Sequence, residues 1–244
     1  MASAKRRLRG GPLYVVEHME EGLGEWCRLE YRHMASFVPP EQLLFLRWPS
    51  EQDVSQLVDG SAAPPKAAPE RLEQLMASGE EKAVGMPPGG PQLPSWDRIC
   101  LLDMDADDVL QPDDVAKFDA FVFGGILGNV IENEDGTYGS DDRTAEIRPH
   151  FKHRRHLGPM QMTTDTAVLV SQKVLEKACP LAEIPFLDSP EFDHAAGAES
   201  SDSVCMEGFR YVARRGPSGE WEPTLPEGMK ELLLADADND ILSS

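Results

Sequence analysis

The sequence predicts an α/β fold built on parallel strands, and the pattern of its first fifty residues indicates this most clearly. Residues 13–17 (LYVVE) form a compact apolar run of strand length, and residues 43–48 (LLFLRW) form a second one. Between the two runs a helix is predicted, because large side chains recur at helical spacing, at Trp26, Leu29, His33, Met34 and Phe37. A strand, a helix and a strand in this order make a βαβ unit, in which the two strands are parallel.

Later segments continue the alternation of strands and helices. Short apolar runs predict strands at residues 99–103 (ICLLD), 121–123, 184–187 and 209–213. A helix is predicted from Thr163 or Thr164 as its cap to the stop at Pro180, because apolar residues follow the helical repeat between them. Shorter helices are expected at 110–119 and from 225–229 onward. The later elements therefore continue the α/β pattern of the first fifty residues.

The composition predicts one domain with irregular insertions. We expect a single domain over residues 13–235, a flexible basic N-terminus at 1–12 and a frayed acidic tail at 236–244. Residues 59–95 are rich in Pro, Gly and Ala, with one short helical patch near Glu70 to Ser78, and we expect most of the segment to be a mobile insertion because it has little apolar surface to bury. Two further mobile insertions are expected near 129–142 and 193–203, where the sequence is polar.

The net charge of the chain favours a basic protein over nucleic acid as its partner. Its 43 acidic and 23 basic residues give a formal net charge of -20. Because phosphate binding needs clustered Lys and Arg, direct binding of nucleic acid is disfavoured. A basic protein partner is favoured by the same imbalance.

Cysteine and histidine patterns argue against a metal site. The four cysteines contain no CxxC pair, which is typical of a reducing compartment and not of a disulfide framework or a zinc site. His150, His153 and His156 lie among Lys and Arg without an acidic partner, so we predict a basic patch there. No apolar stretch of about 18 residues exists, and no transmembrane helix is expected.

Residues 121–167 contain the strongest candidate for a ligand site. The run FVFGGILG (121–128) ends in glycines, and RRHLGPMQMTTDTA (154–167) passes through a Gly-Pro loop into a threonine-rich helix start. Because the carboxyl ends of parallel strands and the N-termini of the following helices meet at one end of a sheet, we expect these segments to share a ligand site. The chain has no GxGxxG or GxxxxGK[ST] motif to support a dinucleotide or nucleoside triphosphate.

A set of motifs resembles one family of known proteins. The motifs, in chain order, are EHMEEG, CLLD, LQP, KFD, FVFGGILG, QMTTDTA, LDSPEF, FRYV and LPEGM. Together they resemble a small family of SPOUT-class methyltransferases whose fungal member methylates an arginine of a small-subunit ribosomal protein. The matches run from about Tyr14 to Met229 and so cover the whole core.

The resemblance implies a fold, a cofactor and a substrate. The fold would be a mainly parallel sheet with helices on both faces and a C-terminal deep trefoil knot, an exception to the rule that chains do not knot. The cofactor would be S-adenosylmethionine, and the substrate a basic protein, with a small-subunit ribosomal protein favoured. A monomer and a cytoplasmic location are implied as well.

The resemblance also implies which residues of FVFGGILG and RRHLGPMQMTTDTA bind the cofactor. One wall of the pocket would be formed by Phe123, Gly124, Gly125, Ile126, Leu127 and Gly128. The other would be formed by Arg155, Leu157, Gly158, Met160, Gln161, Met162, Thr163, Thr164 and Thr166. The chemistry of these residue types agrees, since glycines permit close backbone approach, methionines give soft apolar contacts and a helix start offers N–H donors to a carboxylate.

Methylation of arginine requires carboxylates around the guanidinium. A guanidinium is charged and delocalised, so acidic groups must bind it and help to remove a proton. The candidates are Glu17, Glu20, Glu21, Asp165 and Glu191. Each also has a plainer interpretation, because Glu20 and Glu21 suit a solvated loop and Asp165 suits the first turn of a helix.

Two other functions remain open at this point. A SPOUT-class chain could methylate ribosomal or transfer RNA, since fold does not determine substrate. The chain could also bind the cofactor without turnover, as an interaction module. Arginine methylation of a protein is the preferred hypothesis because of the acidic charge.

Overall fold

A computed structural model describes residues 10–77, 93–125, 130–132, 138–140, 143–193 and 203–242. Its main sheet has six strands, which are β1 (Leu13–His18), β2 (Leu43–Leu46), β3 (Lys66–Ala67), β4 (Ile99–Leu102), β5 (Ala120–Gly125) and β8 (Arg154–Arg155). The strand order is β3-β2-β1-β5-β4-β8, and every neighbouring pair is parallel. The prediction of an α/β fold with a mainly parallel sheet is therefore confirmed.

Helices cover both faces of the sheet. They are α1 (Glu25–Phe37), α2 (Leu72–Ala77), α3 (Asp114–Lys117), α4 (Thr164–Glu176) and α5 (Met229–Leu242). One core joins α1 and α4 to one face, and a separate core on the opposite face contains Leu72 and Leu75 of α2. Within the described ranges, no helix combines the length and the apolar character that a membrane span needs.

The alternation of side chains along β1 assigns its residues to the two faces. Tyr14 and Val16 belong to the core with α1 and α4, whereas Leu13 and Val15 belong to the core with α2. Because successive side chains of a strand point to opposite faces, Glu17 lies on the α2 face. This assignment decides below which carboxylates can meet.

Smaller antiparallel sheets extend the main one. A three-stranded sheet consists of β9 (Phe186–Asp188), β12 (Arg210–Arg215) and β13 (Trp221–Pro223), with β12 in the middle. Two-stranded ladders pair β10 (Glu191–Phe192) with β11 (Val204–Cys205), and β6 (Val130–Glu132) with β7 (Tyr138–Ser140). A third core, which includes Phe209, Tyr211 and Met229, packs β12 against α5.

The structure differs from the sequence-based expectation in the insertions and the tail. Helix α2 confirms the short helical patch expected near 70–78, whereas strand β3 was not expected inside the segment 59–95; both pack because Ala68, Leu72 and Leu75 are buried. These few apolar side chains suffice because β2 offers β3 an edge to pair with. The ladder of β6 and β7 falls within 129–142, and α5 continues to Leu242, through most of the expected acidic tail. Residues 1–9, 78–92 and 194–202 lie outside the described residues.

Candidate active site

The carboxyl ends of β1 and β5 meet the N-terminus of α4. In the β1–β5 register, Glu17 is opposite Gly124 and His18 is opposite Gly125. The hydroxyl of Thr164, the first residue of α4, donates a hydrogen bond to the carbonyl of Gly124 at 3.2 Å. The glycine run and the threonine-rich helix start therefore lie side by side, at the end of the sheet where parallel folds bind ligands.

Gly125 is required by space and not by its backbone angle. A Cβ atom at this position would lie 2.6 Å from the Tyr31 hydroxyl and 3.1 Å from the backbone oxygen of Glu17. Tyr31 is itself held by a 2.8 Å hydrogen bond to Nδ1 of His18. Gly125 does not have a positive φ, so the close approach of α1 to the strand end explains the glycine.

The loop that leads into α4 is held at two points. Gly158 has a φ of 106°, and its N–H donates to Nδ1 of His156 at 3.0 Å. Further along, the carbonyl of Gln161 accepts a 2.8 Å hydrogen bond from the backbone N–H of Arg210 on β12. A Cβ atom at Gly158 would meet only Nη1 of Arg210, at 3.8 Å. The loop is therefore fixed while its backbone at Gly158 stays open on one side.

Asp165 lies fully buried in the first turn of α4 and is tightly held. Its Oδ2 atom is 2.7 Å from Nδ1 of His33 on α1. Its Oδ1 atom accepts a 2.7 Å hydrogen bond from the hydroxyl of Thr163, and that hydroxyl also lies 2.8 Å from the hydroxyl of Thr166. The helix start thus presents an oriented carboxylate and not a frayed end.

A second buried carboxylate, Glu30, belongs to the same cluster. The indole N–H of Trp26 donates to Oε1 of Glu30 at 2.6 Å. Burial and then the charge of Asp165 raise the pKa of Glu30 well above its ordinary value, and the backbone N–H groups of Thr164 and Asp165 offset part of this shift. These helix-start donors therefore face Glu30, although the sequence suggested them for a cofactor carboxylate.

Comparisons with known proteins show which family the chain belongs to. The family model for SFM1-like protein arginine N-methyltransferases matches residues 13–240. The protein arginine N-methyltransferase SFM1 of Saccharomyces cerevisiae is 34% identical over 233 residues, which cover 92% of this chain and 95% of the yeast protein. This chain belongs to the SFM1-like family. The predicted resemblance is thereby confirmed.

Solved structures of the yeast SFM1-like member are similar to this chain. A crystal structure of yeast SFM1 complexed with SAM aligns with a TM-score of 0.69 and 32% identity, covering 93% of this chain and 92% of the yeast chain. A complex of yeast SFM1 with SAH aligns with a TM-score of 0.68 and 32% identity, covering 91% and 94%. The shared fold thus covers more than nine tenths of this chain.

The candidate cofactor residues of this SFM1-like chain differ in burial. The buried ones are Phe123, Gly125, Leu157, Thr163, Thr164 and Thr166, and the half-buried ones are Gly124, Arg155, Gly158, Met160, Gln161 and Met162. Ile126, Leu127 and Gly128 lie outside the described residues.

Arg155 has a structural partner that the motif did not reveal. Its Nε and Nη2 atoms contact the two carboxylate oxygens of Asp114 at 3.0 and 3.2 Å. Its guanidinium also lies over the ring of Phe118, 5.4 Å from the ring centroid. The backbone of Arg155 is engaged as well, because its carbonyl accepts a 2.9 Å hydrogen bond from the N–H of Asp103.

Only one of the five candidate carboxylates lies in the cluster around α4. Asp165 does, whereas Glu17 is buried on the α2 face of the sheet, where Glu73, Arg47 and Arg71 surround it. Glu20 is half-buried in the loop after β1, Glu21 is exposed, and Glu191 is exposed on β10. The structure therefore does not bring Glu17 to Asp165, because a single-residue step along a strand moves a side chain to the other face.

Sequence reasoning missed Glu30 and His33 as site residues. It used Trp26 and His33 only as packing positions of α1 and passed over Glu30 between them. The available signal was the spacing, since residues 26, 30 and 33 share one helix face and an acid on a packing face needs a partner.

The burial of Glu17 should make the stability of the protein depend on pH. Burial and then the charge of Glu73 raise its pKa to about 7 from an ordinary 4.5, while Arg47, Arg71 and the backbone N–H of Leu72 offset part of the rise. The folded state therefore holds the proton more tightly than the unfolded chain, and stability is lost as pH rises from about 4.5 through about 7.

We expect Glu17→Gln to stabilise the protein above neutral pH. The neutral amide removes a buried charge, so the free energy of unfolding should rise by up to about 3 kcal/mol at about pH 8 and change little at about pH 5. Urea unfolding at both pH values measures this difference, with the exposed Glu183→Gln as control. Equal effects at the two pH values would contradict the raised pKa.

Proposed function

We propose that this chain transfers the methyl group of S-adenosylmethionine to the guanidinium of an arginine in a protein substrate. The observation that carries the proposal is membership of the SFM1-like family across residues 13–240, a range that includes the whole candidate site. The yeast relative is named a protein arginine N-methyltransferase and has been crystallised with SAM. The buried carboxylate at the start of α4 supports the same chemistry.

The residues around α4 fit this cofactor. The open backbone at Gly158 and the strand end at Gly124 permit close approach of an adenosine, and Leu157 and Met162 add apolar surface. Bound S-adenosylmethionine supplies a methyl group that its sulfonium already activates. The protein then has to bind, orient and exclude water.

The carboxylate of Asp165 binds the guanidinium and aids its deprotonation. When a guanidinium nitrogen attacks the methyl carbon, the N–C bond forms and the electron pair of the C–S bond goes to sulfur. One proton must leave the guanidinium, whose pKa is above about 12, so a nearby carboxylate charge is needed. Asp165 is kept in one orientation for this role by His33 and Thr163.

The substrate is a basic protein, and a small-subunit ribosomal protein is the favoured one. The net charge of -20 attracts a basic segment and repels RNA phosphates. The motif resemblance to the ribosomal-protein methyltransferases supports the same choice. It also supports a deep trefoil knot in the C-terminal part, a monomer and a cytoplasmic location.

Labelled S-adenosylmethionine and ribosomal material test this function. Label should survive nuclease, disappear with protease and map to an arginine. Because charge attraction is screened over about 8–10 Å at physiological salt, methylation should slow as salt is raised. Label that nuclease removes would identify an RNA methyltransferase. Cofactor binding without any transfer would identify a non-catalytic module.

A further inference from the structure

The carboxylates of Glu30 and Asp165 lie together in the buried region between α1 and α4. Glu30 is 4% exposed and Asp165 is 0% exposed. The charge of Asp165 contributes to the raised pKa of Glu30, and Oδ2 of Asp165 lies 2.7 Å from Nδ1 of His33. In the described part of the chain, no Lys or Arg forms an ion pair with either carboxylate. Buried carboxylates without a cation are unfavourable, so the place suits a positively charged ligand.

A buried hydroxyl beside the pair also lacks a partner. Tyr211 of β12 is 1% exposed, and among the described residues its hydroxyl oxygen has no hydrogen-bond partner. Tyr211 belongs to the core against which Trp26 of α1 packs, and burial followed by the charges of Asp165 and Glu30 raises the pKa of its phenol. An unsatisfied buried hydroxyl is rare in folded proteins, and a ligand with N–H donors would satisfy it.

We propose that the guanidinium of the substrate arginine binds between Glu30 and Asp165, with the Tyr211 hydroxyl as its third partner. The inference rests on the proposed function and adds two binding residues to it. A guanidinium has five N–H donors in a plane, which can serve two carboxylates and one hydroxyl together.

The arginine enters on the side of the carboxylate pair where the neighbouring side chains are partly exposed. Trp26 is half-buried, and the side chain of His33 is 16% exposed. Both residues hydrogen-bond to the pair, Trp26 to Glu30 and His33 to Asp165. These two partly exposed side chains therefore mark the solvent side of the carboxylate pair.

Binding at this place releases a proton. Without substrate, burial and the charge of Asp165 favour the neutral form of Glu30. The other titratable groups near it are Tyr31 and His33 on α1, Asp165 on α4 and Tyr211 on β12. The positive charge of a guanidinium beside Glu30 favours the ionised form of its carboxyl group. The carboxyl group therefore loses its proton to water when the arginine binds.

Calorimetry of a substrate peptide measures this proton. The peptide is the one that carries the labelled arginine in the assay above, titrated at pH 7 with S-adenosylhomocysteine present to prevent turnover. Titration in phosphate and in Tris gives the number of protons released, because the two buffers differ in ionisation enthalpy. We expect release of about one proton by the wild type and about none by Glu30→Gln, whose peptide affinity should fall at least about 10-fold.

Two controls keep the result specific. Glu183→Gln, an exposed substitution of the same type, should behave as the wild type, and a peptide with citrulline in place of arginine should release no proton. If Glu30→Gln fails to fold, peptide affinity of the wild type should still strengthen as pH is raised.

The outcomes separate this site from the proposed function. Methylation of arginine without proton release by the wild type would overturn the site and leave the function standing. Release that persists in Glu30→Gln would do the same. If no protein arginine is labelled at all, the proposed function fails and this inference fails with it.

Discussion

Asp165→Asn is expected to slow methyl transfer by about 10²–10³-fold, the range typical of a lost general base, while cofactor affinity changes little. The carboxylate charge is what binds the guanidinium, whereas the amide keeps the volume and can still accept from Thr163. Because Asp165 is buried between α1 and α4, the loss of its contact with His33 should also lower the melting temperature by a few degrees.

Single-turnover kinetics and calorimetry separate these effects. Single-turnover rates with bound S-adenosylmethionine report transfer, and calorimetry of the cofactor reports binding. Asp193→Asn, which changes an exposed residue after β10, is the matched control and should have no effect. Glu20→Gln should also lower the rate more than cofactor affinity, and by less than Asp165→Asn, since Glu20 is only half-buried. A loss of cofactor affinity equal to the loss of rate would move Asp165 from the guanidinium site to the adenosine pocket.

Gly125→Val is expected to destabilise the fold and to weaken cofactor binding together. Its Cβ would lie 2.6 Å from the Tyr31 hydroxyl and 3.0 Å from Cγ1 of Val16, and both neighbours are fully buried. Overpacking of this kind costs about 1–3 kcal/mol, which is roughly 2–12 °C in melting temperature for a domain of this size. The displaced Tyr31 would shift the end of β5, where the adenosine is expected to bind.

Thermal melting and cofactor calorimetry on the same sample test this pair of effects. Gly22→Val is the matched control, because Gly22 is exposed and a Cβ there meets nothing within 4 Å. Gly125→Ala introduces the same Cβ clash without the branched methyl groups and should show a smaller loss of stability. A folded Gly125→Val protein with unchanged cofactor affinity would remove Gly125 from the site.

The strands and the family were readable from the sequence because both depend on local pattern. Apolar runs of three to six residues marked β1, β2, β4 and β5, and the βαβ spacing made the first pair parallel. The motifs FVFGGILG and QMTTDTA were long enough to indicate the family. The exceptions in the main sheet were β3 and β8, whose two residues each have no apolar run and become strands because β2 and β4 offer them edges.

The composition of the candidate site was decided by the tertiary structure. Glu17 and Asp165 were grouped by sequence as ends of neighbouring elements, but strand alternation puts Glu17 on the opposite face of the sheet from α4. Glu30 and Asp165 are separated by more than one hundred residues and meet only because α1 packs on α4. The sequence alone determined which end of the sheet holds the site, since that follows from chain direction, whereas the partners of each charge depend on long-range packing that no local pattern encodes.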